Sequence, residues 1–244
     1  SVSGNTIETL TVLDSAKNLD CGIIGFSSGG KMEEFCRKYK INFKKIDLIH
    51  SPRTSFVKFS LSIMNVLNSI LLIEKNHMSE IINELTKLRN NICSQNLSDS
   101  NSALSLANFI SGIPLIYYPY GIQSSAIRFK SSIQENAKKH VIIEDVVEAS
   151  HNGIVAWEKP SVNQPILLRG YDDFTKTRER FDIIKEFFDK NNIKYKEITS
   201  VSGNILTKLI TLTYLLDYSS IYRAILSEID PTPVSSINFI KDRI

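Results

Sequence analysis

Apolar positions along the chain alternate between short continuous runs and longer stretches with a 3.6-residue period. The first half predicts a helix over Thr6 to Lys17, an apolar strand over Gly22 to Phe26, and a helix over Lys31 to Lys38. A second short strand, Ile46 to Ile49, leads through Pro52 into helical patterns over Ser55 to Glu74 and His77 to Asn90, which read as one helical hairpin. Residues Asn90 to Asn101 are rich in Asn and Ser and carry no apolar period, so a boundary is expected there, dividing the chain into domains 1–95 and 96–244. The second half repeats the alternation. Strands are expected at Ile113 to Tyr118, Val141 to Ile143, Pro165 to Leu168 and Lys194 to Ile198. Helices are expected at Gln123 to Lys139, Thr175 to Asn191, Ile205 to Ser227 and Val234 to Arg243. Continuous apolar strands separated by amphipathic helices predict an α/β fold of two doubly wound parallel sheets, because helices cover both faces of such a sheet.

Composition narrows the class. The chain has 244 residues, 42% of them hydrophobic and 23% charged, which excludes a disordered or collagen-like chain. The longest apolar run, Leu61 to Ile73, is interrupted by Asn65, Asn68 and Ser69, and falls short of the roughly 20 residues a membrane span requires. No basic-then-apolar leader opens the sequence, and three cysteines without a C-x-x-C pair point away from disulfides and zinc ribbons. A cytoplasmic protein is expected, without membrane or nucleic-acid partners. The net charge of +3 comes from scattered basic residues and suits a small anionic ligand only weakly.

The pentapeptide Ser-Val-Ser-Gly-Asn occurs twice, at residues 1–5 and 200–204. After the first copy, Thr6, Glu8 and Thr9 keep hydroxyls in the opening turn of the helix, so Ser1, Ser3 and Thr6 could hold an anion at the positive end of the helix dipole. Composition alone also allows an ordinary N-cap by Ser3. After the second copy come Ile205, Leu206 and Leu209, an apolar face, and that copy reads as a helix start. About twenty residues beyond the first copy lies Ser27-Ser28-Gly29-Gly30-Lys31. This pair of motifs resembles the sugar isomerase (SIS) domain, whose phosphosugar phosphate sits on such a loop.

Further motifs sharpen the resemblance: Gln134-Glu135-Asn136-Ala137-Lys138, Ser150-His151-Asn152, Trp157-Glu158, Asp217-Tyr218-x-Ser220-x-Tyr222, and Asp230-Pro231-Thr232-Pro233-Val234 followed by Lys241. Together they resemble the bifunctional phosphoglucose/phosphomannose isomerases. The resemblance implies two SIS-type subdomains, flavodoxin-like α/β/α sandwiches, the first incomplete at its N-terminus because a strand and a glycine-serine loop normally come before. A C-terminal helical segment follows the second. It implies an aldose-ketose isomerase interconverting glucose 6-phosphate and mannose 6-phosphate with fructose 6-phosphate. Phosphate and sugar would be held by Ser1, Ser3, Thr6, Ser28, Gly29 and Thr232. Glu135 resembles the base that moves a proton between C1 and C2, and His151 and Lys241 the ring-opening pair. Arg53 resembles the cation that stabilises the enediolate. His151 would enter from a neighbouring subunit, so a homodimer is implied, with no cofactor and no metal.

Taken alone, each residue has an ordinary explanation as well. Glu135 sits in a polar helical run, His151 in a loop, and Lys241 on an amphipathic last helix. Arg53 at a helix start is unfavourable to the dipole, which leaves more room for a functional reason. The acidic pairs Asp172-Asp173 and Glu33-Glu34 read as solvated helix starts rather than metal ligands. Two positions depart from the family pattern: Val2, where an aromatic is common, and Gly153, where an acidic residue is frequent. A non-catalytic sugar-phosphate sensor and another SIS-type phosphosugar isomerase are the rival expectations.

Overall fold

The computed structural model describes residues 1–71, 74–241 and 243. The chain forms two compact units, Ser1–Glu74 and Lys75–Ile244, each an α/β arrangement with parallel strands.

In the first unit, helix α1 (Ile7–Ala16) precedes strand β1 (Ile24–Ser27), helix α2 (Gly30–Tyr39) and strand β2 (Asn42–Lys45). Strand β2 pairs parallel with β1, Gly25 opposite Phe43. The expected strand at Ile46 to Ile49 is therefore displaced four residues towards the N-terminus. Its paired residues are mostly polar and only Phe43 turns inward, joining Leu13, Met32 and Cys36 in a small core. Such a strand lacks the apolar signature because it lies against the sheet's last hydrogen-bonding row with its other residues in water. Ile46 is 2% exposed, while Leu48 and Ile49 are exposed. A 3-10 turn at Pro52–Ser55 leads into α3 (Phe56–Val66) and α4 (Asn68–Leu71), and the rest of the predicted helix, at Leu72 and Ile73, lies outside the described residues.

The second unit opens with α5 (Lys75–Ile92) and α6 (Ser102–Phe109), followed by β3 (Ile113–Tyr118), α7 (Gln123–Ala137), β4 (Ile142–Asp145) and α8 (Val146–Ala149). Then come β5 (Asn163–Arg169), α9 (Thr175–Lys190), β6 (Lys196–Thr199), α10 (Ile205–Leu226) and α11 (Ser235–Lys241). Helix α5 packs on α10, so the polar segment between Cys93 and Asn101 is a loop within this unit. Asn101 closes that loop, accepting from the Leu104 amide at 2.9 Å to cap α6 and donating to the carbonyl of Asn96 at 2.7 Å.

The sheet order is β4-β3-β5-β6, all parallel. Alternation along β3 divides the interior into two cores, because successive side chains leave opposite faces of a strand. Ile116 and Tyr118 join Ile166 and Leu168 against α6, α7 and α10. Leu115 and Tyr117 join Leu167 against α8, α9 and Trp157. This is the expected three-layer α/β/α arrangement. Among the described residues no helix is long and apolar enough to cross a membrane.

Candidate functional site

In the first unit the two Ser/Gly loops interlock. The Ser28 amide and hydroxyl both donate to the Val2 carbonyl at 2.8 Å, and the Met32 amide donates to the Gly4 carbonyl at 2.9 Å. The Lys31 amide donates to Asn5 Oδ1 at 3.0 Å, so the first loop caps the N-terminus of α2. Close approach explains the glycines. Gly4 has φ +74°, and a Cβ there would overlap the Gly29 carbonyl oxygen; a Cβ on Gly30 would come within 2.6 Å of both Asn5 Oδ1 and the Ser3 carbonyl.

Ser3 does not cap α1. Its hydroxyl accepts from the Asn5 amide at 3.2 Å, a turn within the loop, and Thr6 occupies the N-cap position without a side-chain cap hydrogen bond. Ser1 Oγ lies 2.8 Å from Thr6 Oγ1 and accepts from the Gly4 amide at 3.2 Å. Ser1, Ser3 and Thr6 thus share one turn at the start of α1. Ser28 serves the loop-loop lock, and Gly29 precedes α2 with φ 144°. Arg53 is half-buried in the 3-10 turn, where the Ser51 amide donates to Thr54 Oγ1 at 3.2 Å.

The second pentapeptide is a helix start, as its sequence indicates. Asn204 caps α10 by accepting from Leu206 and Thr207 at 2.9 and 3.1 Å. The Glu80 carboxylate from α5 sits against it, accepting from the Asn204 amide at 3.1 Å and from its side-chain amide at 3.0 Å. In this copy a carboxylate of the chain's own takes the donors. The acidic pair at 172–173 is likewise engaged: Asp172 pairs with Lys208, and Asp173 accepts from Arg169 at 3.3 Å and from the Gly170 amide at 3.0 Å. Glu33 pairs with Arg37 at 3.2 Å.

In the second unit Glu135 lies half-buried in the last turn of α7. A polar ladder sets that helix's rotation against α10. Arg128 Nε and Nη2 donate to Asp217 at 3.1 and 2.9 Å, Ser132 Oγ donates to Asp217 at 2.5 Å, and Asn136 Nδ2 donates to Ser220 Oγ at 2.8 Å. Residues 128, 132 and 136 are four apart and share one helical stripe, so the neighbouring Glu135 is turned off that buried line. The ladder explains the spacing of Asp217 and Ser220 in their motif.

Glu135, Ser131, Gln134 and Lys138 form one wall of a cleft of about 590 Å³; Pro233 to Ile237 form the other. That volume lies within the roughly 300–1,000 Å³ of small-molecule sites. Lys138, in the left-handed region at φ 53°, ends α7 and reaches across to Pro233. Thr232 forms a tight turn in which its amide donates to Asp230 at 2.8 Å; this hydrogen bond holds the Asp230 carboxyl below its usual range. Lys241 is exposed at the end of α11.

His151 is exposed in the turn after α8, its amide donating to the Glu148 carbonyl at 2.9 Å, and Asn152 Nδ2 donates to Glu148 Oε1 at 2.6 Å. The segment that follows is anchored by Trp157, whose indole N–H donates to Tyr117 Oη at 2.7 Å and whose ring meets Phe188 edge-on at 5.4 Å. Gly153 has a steric reason. A Cβ there would lie within 2.6 Å of both oxygens of Glu144, which fills the space from β4 and whose carboxyl is pushed up by burial and then by Glu148.

The arrangement therefore brings Glu135 together with the C-terminal segment, and Ser1, Ser3 and Thr6 together with the loop of Ser28 and Gly29. The ladder on α7, the Lys138 bridge and the Glu144 carboxylate carry no signal in the linear sequence, because their partners lie nine to ninety-five residues away.

Comparison with known proteins bears on this geometry. The family model described as bacterial phospho-glucose isomerase C-terminal SIS domain matches residues 99–244. The bifunctional phosphoglucose/phosphomannose isomerase of Caldicellulosiruptor bescii is 29% identical over 100% of this chain and 74% of its own length. The D-glucosamine-6-phosphate 4-epimerase of Sulfolobus acidocaldarius is also 29% identical, over 69% of this chain and 53% of that protein. Among solved structures, tagatose-6-phosphate ketose/aldose isomerase from Escherichia coli superposes with a TM-score of 0.68 at 10% identity, covering 96% of this chain and 70% of that one, a likeness of fold.

Proposed function

The chain belongs to the bacterial phospho-glucose isomerase C-terminal SIS domain family, and from that premise we propose that it is a phosphosugar isomerase interconverting glucose 6-phosphate, and mannose 6-phosphate, with fructose 6-phosphate. The observation that carries the reading is Glu135, a half-buried carboxylate on a rigidly registered helix, lining a cleft of sugar-phosphate dimensions.

In the proposed reaction the phosphate lies on Ser1, Ser3 and Thr6, with the Ser28-Gly29 loop behind them and Thr232 shaping the sugar pocket. Ring opening moves a proton from the anomeric hydroxyl to the ring oxygen, the work of His151 with Lys241. The imidazole suits it because one ring nitrogen can donate a proton while the other accepts one. Glu135 then takes the C2 proton of the open-chain aldose as the C–H electrons form the C1–C2 double bond of a cis-enediolate and the C1 carbonyl pair moves onto O1; it returns the proton to C1 as the C2–O2 bond becomes the ketone carbonyl, with the O2 hydroxyl proton passing to O1. A carboxylate fixed on a helix can reach both carbons with one oxygen pair, which is what a single base shuttling one proton requires. Arg53 stabilises the enediolate through its planar guanidinium, whose several N–H donors can meet the developing oxyanion. In this reading His151 comes from a second copy in a homodimer, and neither metal nor cofactor takes part.

The test is a coupled assay of fructose 6-phosphate with EDTA present, detecting glucose 6-phosphate and mannose 6-phosphate separately. Glu135→Gln should keep sugar-phosphate binding and lose about 10²- to 10⁴-fold in kcat, the usual range for a general base. A near wild-type rate in that variant would remove Glu135 from the role. The likeness to the 4-epimerase supports a second reading, epimerisation of an amino sugar phosphate at C4. Turnover of glucosamine 6-phosphate without turnover of fructose 6-phosphate would select it.

A further inference from the structure

Lys138 stands where α7 must end. It adopts the left-handed conformation at φ 53° and ψ 33°, and its ammonium donates to the carbonyl of Glu135, one of the helix's last acceptors. So far this is an ordinary helix terminus. The same ammonium, however, donates to the Pro233 carbonyl at 2.7 Å and the Pro231 carbonyl at 3.5 Å, on either side of Thr232 and more than ninety residues along the chain. The Asp230 carboxylate also feels its charge. Thus one side chain joins the helix end that bears Glu135 to the segment that leads into α11 and Lys241.

Apolar packing does not fix that segment. Helix α11 has no buried residue; Phe239 and Ile240 are each 59% exposed. Yet Pro233 to Ile237 make up one whole wall of the Glu135 cleft. A wall without a core beneath it needs polar attachment, and Lys138 supplies it from the opposite wall.

We infer that Lys138 is a positioning residue: it clasps the C-terminal segment against α7 and so sets the width of the cleft and the placement of Thr232 and Lys241 relative to Glu135. The inference deepens the isomerase reading and rests on it for its catalytic consequence. Two carbonyls of the segment meeting one ammonium that is itself tied to the Glu135 carbonyl fix a position more tightly than one pair does, because each hydrogen bond adds a separate restraint. Displacement of about 1 Å at a reacting centre can cost on the order of 10²-fold in rate.

The left-handed backbone provides a variant that separates this role from folding. Lys138→Gly removes the ammonium and places the residue that best tolerates φ 53° at the helix terminus, so the α7 end is kept or improved. The expected result is an unchanged or raised Tm and at least tenfold faster amide exchange over residues 232–241. The kcat for fructose 6-phosphate should fall about 10²-fold, as expected for lost positioning. Lys138→Arg, which keeps a cation able to reach the carbonyls, should restore most of both. Unchanged exchange over 232–241 in Lys138→Gly would overturn the clasp. So would a shift in the pH profile with unchanged exchange, which would make Lys138 an electrostatic partner of Glu135 instead. Faster exchange with wild-type turnover would leave the clasp in place, overturn its positioning role and remove the cleft from the reaction. If the wild-type protein turns over no sugar phosphate, the exchange measurement still decides the clasp, and only the isomerase reading falls.

Discussion

Raising the pH through the range of phenol ionisation should destabilise the second unit, in part through Tyr117; the hydroxyls of Tyr195 and Tyr214, also pushed up by burial, contribute alike to the wild type and to a Tyr117 variant. Its ring is 1% exposed, and burial pushes its hydroxyl up to about 12 from an ordinary 10, partly offset by the hydrogen bond from Trp157. Burial disfavours the charged form, here the phenolate, so the fold holds the proton more tightly than the unfolded chain does. The stability this represents is complete below pH 10, the unfolded value. It is lost as pH rises to the folded value near 12. Two pH units correspond to about 2.7 kcal/mol at roughly 1.36 kcal/mol per unit. Tyr117→Phe removes the titration but leaves the indole N–H of Trp157, 7% exposed, without its acceptor. That variant should therefore be less stable at pH 8 by about 1–3 kcal/mol, the penalty for an unpaired buried donor. The two stability curves should then converge above pH 10 as the wild type loses its phenol contribution. Trp157 is the sole tryptophan and lies in this unit, so urea unfolding followed by its fluorescence at pH 8, 9, 10 and 11 reads the effect directly. A constant gap between wild type and Tyr117→Phe across that range would refute the reasoning.

Two further perturbations address the framework of the site. Asp217→Asn keeps the shape but removes the charge that accepts from Arg128 and Ser132; it should cost about 1–3 kcal/mol, typical of lost charge-assisted hydrogen bonds in a partly exposed setting, and lower kcat by loosening α7, as thermal unfolding and the fructose 6-phosphate assay would show. Asn204→Ala should cost about 1 kcal/mol through loss of the α10 N-cap, with little effect on turnover; chemical denaturation measures the first and the coupled assay the second.

The line of the chain by itself determined the α/β class, the four strands of the second sheet to within a few residues, and most of the long helices, because buried parallel strands and amphipathic helices leave strong local periodicities. The two Ser/Gly loops were also legible from residue type and spacing, whereas Glu135, His151 and Lys241 stood out only through the family resemblance, since each taken alone reads as an ordinary surface residue. Strand β2 was not: Asn42, Lys44 and Lys45 face water and its pairing with β1 depends on a partner eighteen residues away. Helix α6 was hidden for a different reason, sitting behind a polar loop whose own hydrogen bonds to Asn101 set the helix start.

What the tertiary structure alone decided is how the motifs are held. Glu135 owes its orientation to Arg128, Ser132 and Asn136 meeting α10. The two copies of one pentapeptide differ because the first interlocks with the Ser28-Gly29 loop while the second receives Glu80. Gly153 is small because the Glu144 carboxylate already occupies its neighbourhood. Each of these depends on atoms brought within a few ångströms by packing between distant segments, and residue type at one position contains no record of which distant group arrives there.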